Sequence, residues 1–153
     1  VLEALPVGVI IADADGAVTR TNPANTVLWG ETPKTDGVDE YAEWKGWWPQ
    51  TGERIQAHEW AMARALEHGE TVPGELVEIE RFGTGERRFM INSAAPVLDE
   101  DGRIVAGLVA QMDVTDRVLA ERALAEALQA KDVLLHEVNH RVKNSLQIVT
   151  SLL

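Results

Sequence analysis

The sequence predicts an α+β chain: a five-stranded antiparallel sheet with short helices on one face, followed by one long C-terminal helix. Three observations predict it. Alternating or β-branched runs recur at Val7–Ala12, Val18–Thr21, Glu75–Arg81, Arg87–Val97 and Ile104–Met112, each bounded by turn residues. A helical period occupies the middle of the chain instead, around Ala57–Leu66. From Asp116 to Leu153 no glycine or proline interrupts the chain at all.

Taken in order, the first two runs are joined by Asp13-Ala14-Asp15-Gly16, which supplies the Asp-Gly chemistry of a hairpin turn. Asn22-Pro23 then reads as a helix cap followed by proline at the first helical position, opening a short helix through Leu28 and Trp29 that Gly30 stops. The segment Glu31–Gln56 contains Pro33, Gly37, Gly46, Pro49 and Gly52 without a clean period, so it is expected to be loop and short turns, yet it holds Tyr41, Trp44, Trp47 and Trp48. Trp60, Ala63 and Leu66 then share a helical face, and His68-Gly69 ends that helix. Gly83-Thr84-Gly85 and Asp99-Glu100-Asp101-Gly102 turn the chain between the last three strands. Two strands, a helical middle and three hairpin-linked strands describe an antiparallel sheet with helices packed on one face.

Composition narrows the function. The chain has 153 residues, 45% apolar content and no cysteine, so a core is affordable while disulfides, thiolate metal sites and cysteinyl adducts are excluded. No metal site is expected. No apolar run reaches membrane-spanning length and no secretory leader is visible, so this portion is expected to be soluble and cytoplasmic. The chain opens mid-pattern at Val1 and stops mid-helix at Leu153, which suggests a longer protein whose membrane attachment, if any, is outside it. Residues 1–113 carry 20 acidic and 9 basic side chains, the whole net charge of −11, whereas residues 114–153 carry five of each. Such an acidic first module repels phosphate backbones, so no nucleic-acid partner is expected, and the neutral second part suits self-association.

The strand and helix order, with Asp13-Ala14-Asp15-Gly16, Asn22-Pro23-Ala24, Asp99-Glu100-Asp101-Gly102 and Asp113-Val114-Thr115 in register, resembles the PAS sensor family over residues 1–115. That resemblance implies a sheet of order 2-1-5-4-3 with helices framing a pocket, and a signal relay through Asp113 and Thr115. Trp44, Trp47, Trp48 and Trp60 would line that pocket or fill the core. Its ligand is unknown; a small molecule fits the class. A flavin sensor with a covalent adduct would need cysteine, and the haem ligand candidates, His58 and His68, read instead as helix-end residues.

Thr115 is a good N-cap and Asp116 favours the first turn of the helix that follows. Spanning Asp116 to Leu153, that helix would be about 57 Å long, too long to stand alone in water with an apolar seam. Leu124, Leu128, Leu135, Val138, Val142, Val149 and Leu152 form the seam, with Glu121, Lys131 and Ser145 at intervening seam positions. A parallel homodimeric coiled coil is the expected solution. Residues 116–133 would be a signalling-helix linker, and 134–153 the first part of the module that follows.

His140 lies about 200° round the helix from Val138 and Val142, so its imidazole faces away from the seam. A solvated surface histidine would satisfy that spacing; His136 is read in that way. His140, however, has Glu137, Lys143 and Asn144 beside it. Glu137-Val138-Asn139-His140-Arg141-Val142-Lys143-Asn144-Ser145-Leu146-Gln147 closely resembles the phosphoacceptor box of sensor histidine kinases, in the subfamily reading His-Arg-Val-Lys-Asn. The resemblance implies that His140 accepts the γ-phosphate of ATP and passes it to a response-regulator aspartate. An imidazole, with an ordinary pKa of about 6.5, is a competent nucleophile at neutral pH. Arg141 stands where many histidine kinases have an acidic residue; Glu137 could orient or deprotonate the ring, and Lys143 and Asn144 could steer phosphate or the partner domain. No Gly-rich phosphate cradle or acidic magnesium site is visible, so ATP and Mg are expected to bind a catalytic domain outside this chain, which alone should be inactive. Two other readings stand beside this one: a PAS adaptor that only dimerises, and a haem or flavin sensor.

Overall fold

The computed structural model describes residues 2–153; Val1, where the expected sensor domain begins, lies outside the described residues. The elements are β1 (Gly8–Asp13), β2 (Val18–Thr21), α1 (Pro23–Trp29), β3 (Gly46–Trp47), α2 (Ala61–His68), β4 (Val72–Glu80), β5 (Arg87–Leu98), β6 (Ile104–Asp113) and α3 (Thr115–Leu152). Short 3-10 turns occupy Leu2–Ala4, Val38–Glu43 and Ala57–Glu59. By contacts the chain forms two units, the second being Asp116–Leu153.

The first unit is a curled antiparallel sheet of order β2-β1-β6-β5-β4-β3. Six strands replace the expected five. The addition is the two-residue β3, which pairs Gly46 with Ile79 and Trp47 with Glu78 inside the stretch read as loop. Gly46 permits it: a Cβ there would run into the Trp60 indole, so the backbone can pair at the sheet edge only because its side chain is a hydrogen. A second close approach explains the packing of α2. A Cβ on Gly107 of β6 would collide with Met62 and Leu66, so glycine lets the helix settle directly on the sheet.

Alternation along the strands sends Ile10 and Ala12, Val77 and Ile79, Met90 and Ala94, and Val109 to one face, where all are buried. The helical middle covers that face with Trp29, Trp44, Trp60, Ala63 and Leu66. The expected helix from Ala57 to Leu66 is two pieces. Gln56 and Glu59 form a reciprocal capping box, with the Gln56 amide donating to Glu59 Oε2 at 2.7 Å. That closes one 3-10 turn, and Trp60 is then extended, at φ −58 and ψ 141, before α2 begins.

Asn22 fastens the start of this unit. As expected it caps α1, its Oδ1 accepting from Asn25 N at 3.1 Å with Pro23 behind it. The same oxygen accepts from Val9 N at 2.8 Å, while Nδ2 donates to the carbonyls of Val7 at 2.8 Å and Leu2 at 3.1 Å. One side chain, 3% exposed, therefore satisfies four backbone groups. Asn22→Ala should lower unfolding free energy by about 2–4 kcal/mol, because the lost cap is compounded by backbone groups left without partners. Urea denaturation measures this; a loss near zero would show that water replaces the amide at all four positions.

Candidate functional site

The chemistry-bearing residues occupy three places, each lying inside one unit. On the second unit, α3 carries most of its exposed apolar residues along one stripe, Leu124, Leu128, Leu135, Val138, Val142, Val149 and Leu152, while Leu119, Val133 and Ile148 are exposed off it. Val138, Val142, Ser145 and Val149 line a shallow groove along it. The sequence reading left out two of the stripe's members. Leu134 and Leu146, also exposed, fall at its two margins, in line with Leu152 and Leu128.

His140 stands opposite that stripe. Asn144, one turn on, brings its Nδ2 to 3.3 Å from His140 Nδ1. Glu137 does not reach the ring: its Oε1 accepts from Arg141 Nη2 at 2.7 Å, an i,i+4 ion pair. That pair runs along an exposed face of the helix. Lys143 has its Cα one turn from His140 on the same side of the helix, with no ion pair among the described residues, and His136 is exposed.

The second place is the end of β6. Asp113 Oδ1 accepts from Thr115 N at 2.9 Å and from Thr115 Oγ1 at 2.6 Å, and its Oδ2 accepts from Arg88 Nη1 at 2.7 Å. The Thr115 hydroxyl in turn accepts from Phe89 N at 2.9 Å. Thr115 was expected to be the N-cap of α3; it is instead the first helical residue, its hydroxyl spent on β5 and on Asp113, while Asp113 takes the Thr115 amide. Partial burial pushes the Asp113 carboxyl up, but the Thr115 hydroxyl and amide, then Arg88, outweigh it and hold it below the ordinary range.

The third place is a cavity of about 40 Å³ between the sheet and the helical middle, lined by Trp29, Trp44, Trp60, Tyr41, Asn92 and Gln111 among others. Of the four tryptophans singled out in the sequence, Trp44 and Trp60 line it. Trp47 and Trp48 do not. Trp47 lies at the sheet edge under two guanidiniums, Arg87 at 3.3 Å and Arg54 at 5.1 Å from its ring centre, and Trp48 packs on the periphery of the core. Trp29, which the sequence marked only as a helix end, is the hub: its ring meets Trp44 edge-on at 4.7 Å and Phe82 at 5.8 Å. Its Nε1 donates to Gln111 Oε1 at 2.8 Å, and Gln111 Nε2 donates more weakly to Asn92 Oδ1 at 3.4 Å. Burial, then the charges of Asp13 and Glu67, raises the Tyr41 hydroxyl well above its usual range; it donates to Gly16 O at 2.8 Å.

Neither His58 nor His68 faces this cavity. His68 ends α2 before Gly69, whose φ of 66° closes the helix in the left-handed region. His58 is on the surface, where its two ring nitrogens meet different carboxylates: Nδ1 with Glu67 Oε1 at 2.7 Å and Nε2 with Asp39 Oδ1 at 3.2 Å. Among the described residues, no group of histidine and acidic side chains is arranged to hold a metal ion, and no helix is long and apolar enough to cross a membrane.

A sensor sheet with a helical cover, followed by an exposed helix carrying a histidine opposite its apolar stripe, defines a PAS-type module joined to a helical phosphoacceptor region. The model of the PAS fold family matches residues 2–119, and that of a histidine kinase family matches residues 137–153. The chain belongs to the PAS fold family, and its PAS domain is joined to a histidine kinase dimerisation and phosphoacceptor region. Among solved structures it is similar to an RNA-binding light-oxygen-voltage receptor (21% identity, TM-score 0.60, 84% of this chain and 35% of that one). It is also similar to the PAS domain of the fruit-fly ELK potassium channel (13%, 0.56, 74% and 91%) and to a light-oxygen-voltage protein of Rhodobacter sphaeroides (15%, 0.53, 74% and 62%). The chain spans about a third of the first and under two thirds of the last. At these identities the likeness is one of fold. No curated protein matches the chain.

Both ring nitrogens of His58 can donate only in the charged form, so the hydrogen bond and charge of Glu67, against slight desolvation and helped by Asp39, raise its pKa above 6.5. A raised pKa makes the clasp fully present below the unfolded value and lost as pH rises through the folded one. The stability gap between the wild type and His58→Gln should therefore be larger at about pH 6 than at about pH 9. Urea midpoints at both pH values measure it, and an unchanged gap would show that the clasp contributes nothing.

Proposed function

We propose that this chain is the sensory and phosphoacceptor portion of a two-component histidine kinase, in which the PAS domain controls ATP-dependent phosphorylation of His140. The observation that supports this most is the position of His140: within the histidine kinase match, on the side of α3 opposite its apolar stripe, where an incoming γ-phosphate can reach the ring. From His140 the phosphoryl group passes to an aspartate of a response-regulator receiver domain. ATP and Mg belong to a separate catalytic domain, so this portion alone neither binds nucleotide nor labels itself. The use of ATP makes its compartment the cytoplasm.

The working form is a homodimer through α3, whose exposed stripe needs a partner. Residues 2–115 serve as sensor, 116–133 as signalling helix and 134–153 as acceptor module. Asp113 and Thr115 relay the signal, since they tie the start of α3 to β5. The ligand we read for the cavity of about 40 Å³ is a small molecule. Asn92 and Gln111 are its polar contacts.

The test is chemical. The intact kinase supplied with ATP should form an acid-labile, base-stable phosphoramidate that His140→Gln abolishes and His136→Gln spares. Label retained in His140→Gln would sink the assignment.

A further inference from the structure

Asn92 on β5 and Gln111 on β6 stand directly opposite each other in the strand register, and both line the cavity beneath the helical middle. Their strand neighbours on that face, Met90, Ala94 and Val109, are apolar, and the two amides are themselves 2% and 4% exposed. Each hydrogen-bonding atom they carry therefore needs a partner inside the protein or in a ligand.

An amide can be turned end for end with little change of shape, so its neighbours decide its orientation. Here the first neighbour leaves no choice. The Trp29 indole has a hydrogen to give and no lone pair to accept one, so at 2.8 Å it must face Gln111 Oε1. Gln111 Nε2 is thereby turned toward Asn92, which can meet it only with oxygen, Nε2 to Oδ1 at 3.4 Å. Reversing Asn92 would set two donors against each other. The three side chains thus run in one direction and end on Asn92 Nδ2, a group with hydrogens to give and no hydrogen-bond partner among the described residues.

The other polar groups around the cavity are committed elsewhere. The Trp44 indole donates to Thr35 Oγ1 at 3.0 Å, the Trp60 indole to Tyr41 O at 3.1 Å, and the Tyr41 hydroxyl to Gly16 O at 2.8 Å. Among the described residues no charged side chain lines the cavity, so an ion of either sign would lose its water without gaining a counter-charge. We propose that the cavity takes a small neutral carbonyl compound, a ketone, aldehyde or ester without N–H or O–H groups, whose oxygen accepts from Asn92 Nδ2 while its hydrocarbon part lies against Trp29, Trp44 and Trp60. The inference rests on reading the cavity as the small-molecule site of the sensor. Gln111 is the positioning residue, because it passes the direction set by the Trp29 indole to the amide that meets the ligand. A ligand that brings only a donor finds both amide oxygens already engaged and is selected against.

The test compares cyclopentanone with methylenecyclopentane, the same ring with a carbon–carbon double bond in place of the carbonyl. Each is titrated into the whole chain labelled with ¹⁵N. Both probes should shift the indole N–H signals of Trp29, Trp44 and Trp60, and cyclopentanone alone should move the Asn92 side-chain amide protons downfield. Asn92→Leu, of similar size and without hydrogen-bonding groups, should weaken cyclopentanone about tenfold and leave methylenecyclopentane no weaker. Comparing each probe with itself across the two proteins removes the difference in their hydration. The wild-type amide shift decides the matter even if Asn92→Leu does not fold. An Asn92 amide indifferent to cyclopentanone while the indoles respond, or an equal loss of both probes in Asn92→Leu, overturns the inference alone. Indoles that respond to neither probe at millimolar concentration overturn the small-molecule reading beneath it.

Discussion

A helix of 38 residues that carries leucine and valine along one side without covering them is the constraint on which the second unit depends. A lone helix has too little to hold it against its own conformational entropy, and its apolar stripe exposed to water adds a cost of about 25 cal/mol for each Å². Association side by side removes both difficulties together. It also decides which face stays open. In the proposed pair the stripe turns inward and His140, Asn144 and Lys143 turn outward, as the proposed acceptor role requires. Burial and chemistry thus divide one helix between opposite faces, and neither could move without the other.

The sensor is held by different means. Its core is rich in tryptophan, but the polar fastenings set its geometry: Asn22 on four backbone groups, Gln111 between Trp29 and Asn92, Thr115 between Asp113 and the Phe89 amide. Each is a place where a buried donor or acceptor would be costly if left alone, so each specifies one arrangement of the chain rather than merely stabilising it. The last of them sits where β6 becomes α3. A change in the strands that shifts Phe89 or Arg88 must alter the bonds that start the helix, which is the physical content of the proposed relay.

Much of this was legible in the sequence because its signals are local. The Asp-Gly hairpin, the Asn-Pro cap of α1, the three late strands and the uninterrupted final helix all rest on residues within a few positions of one another. The histidine box was legible for the same reason: helical spacing alone sets His140 opposite Val138 and Val142. What failed depended on distant partners. β3 exists because Gly46 meets Trp60, Trp60 breaks its expected helix while its indole reaches the Tyr41 carbonyl, and Trp47 is drawn to the edge by Arg87 and Arg54. The ion pair of Glu137 with Arg141 was readable from its i,i+4 spacing. Trp29 as hub of the cavity was not, since only the fold brings it beside Gln111, 82 positions away.

In the proposed dimer the exposed stripe of α3 is the interface between two copies of the chain. Light scattering at tens of micromolar decides it most directly, comparing the whole chain with one ending at Asp116. The whole chain should scatter at twice its mass of 16.8 kDa, and truncation should abolish or markedly weaken the dimer. A whole chain that remains monomeric at that concentration would contradict it.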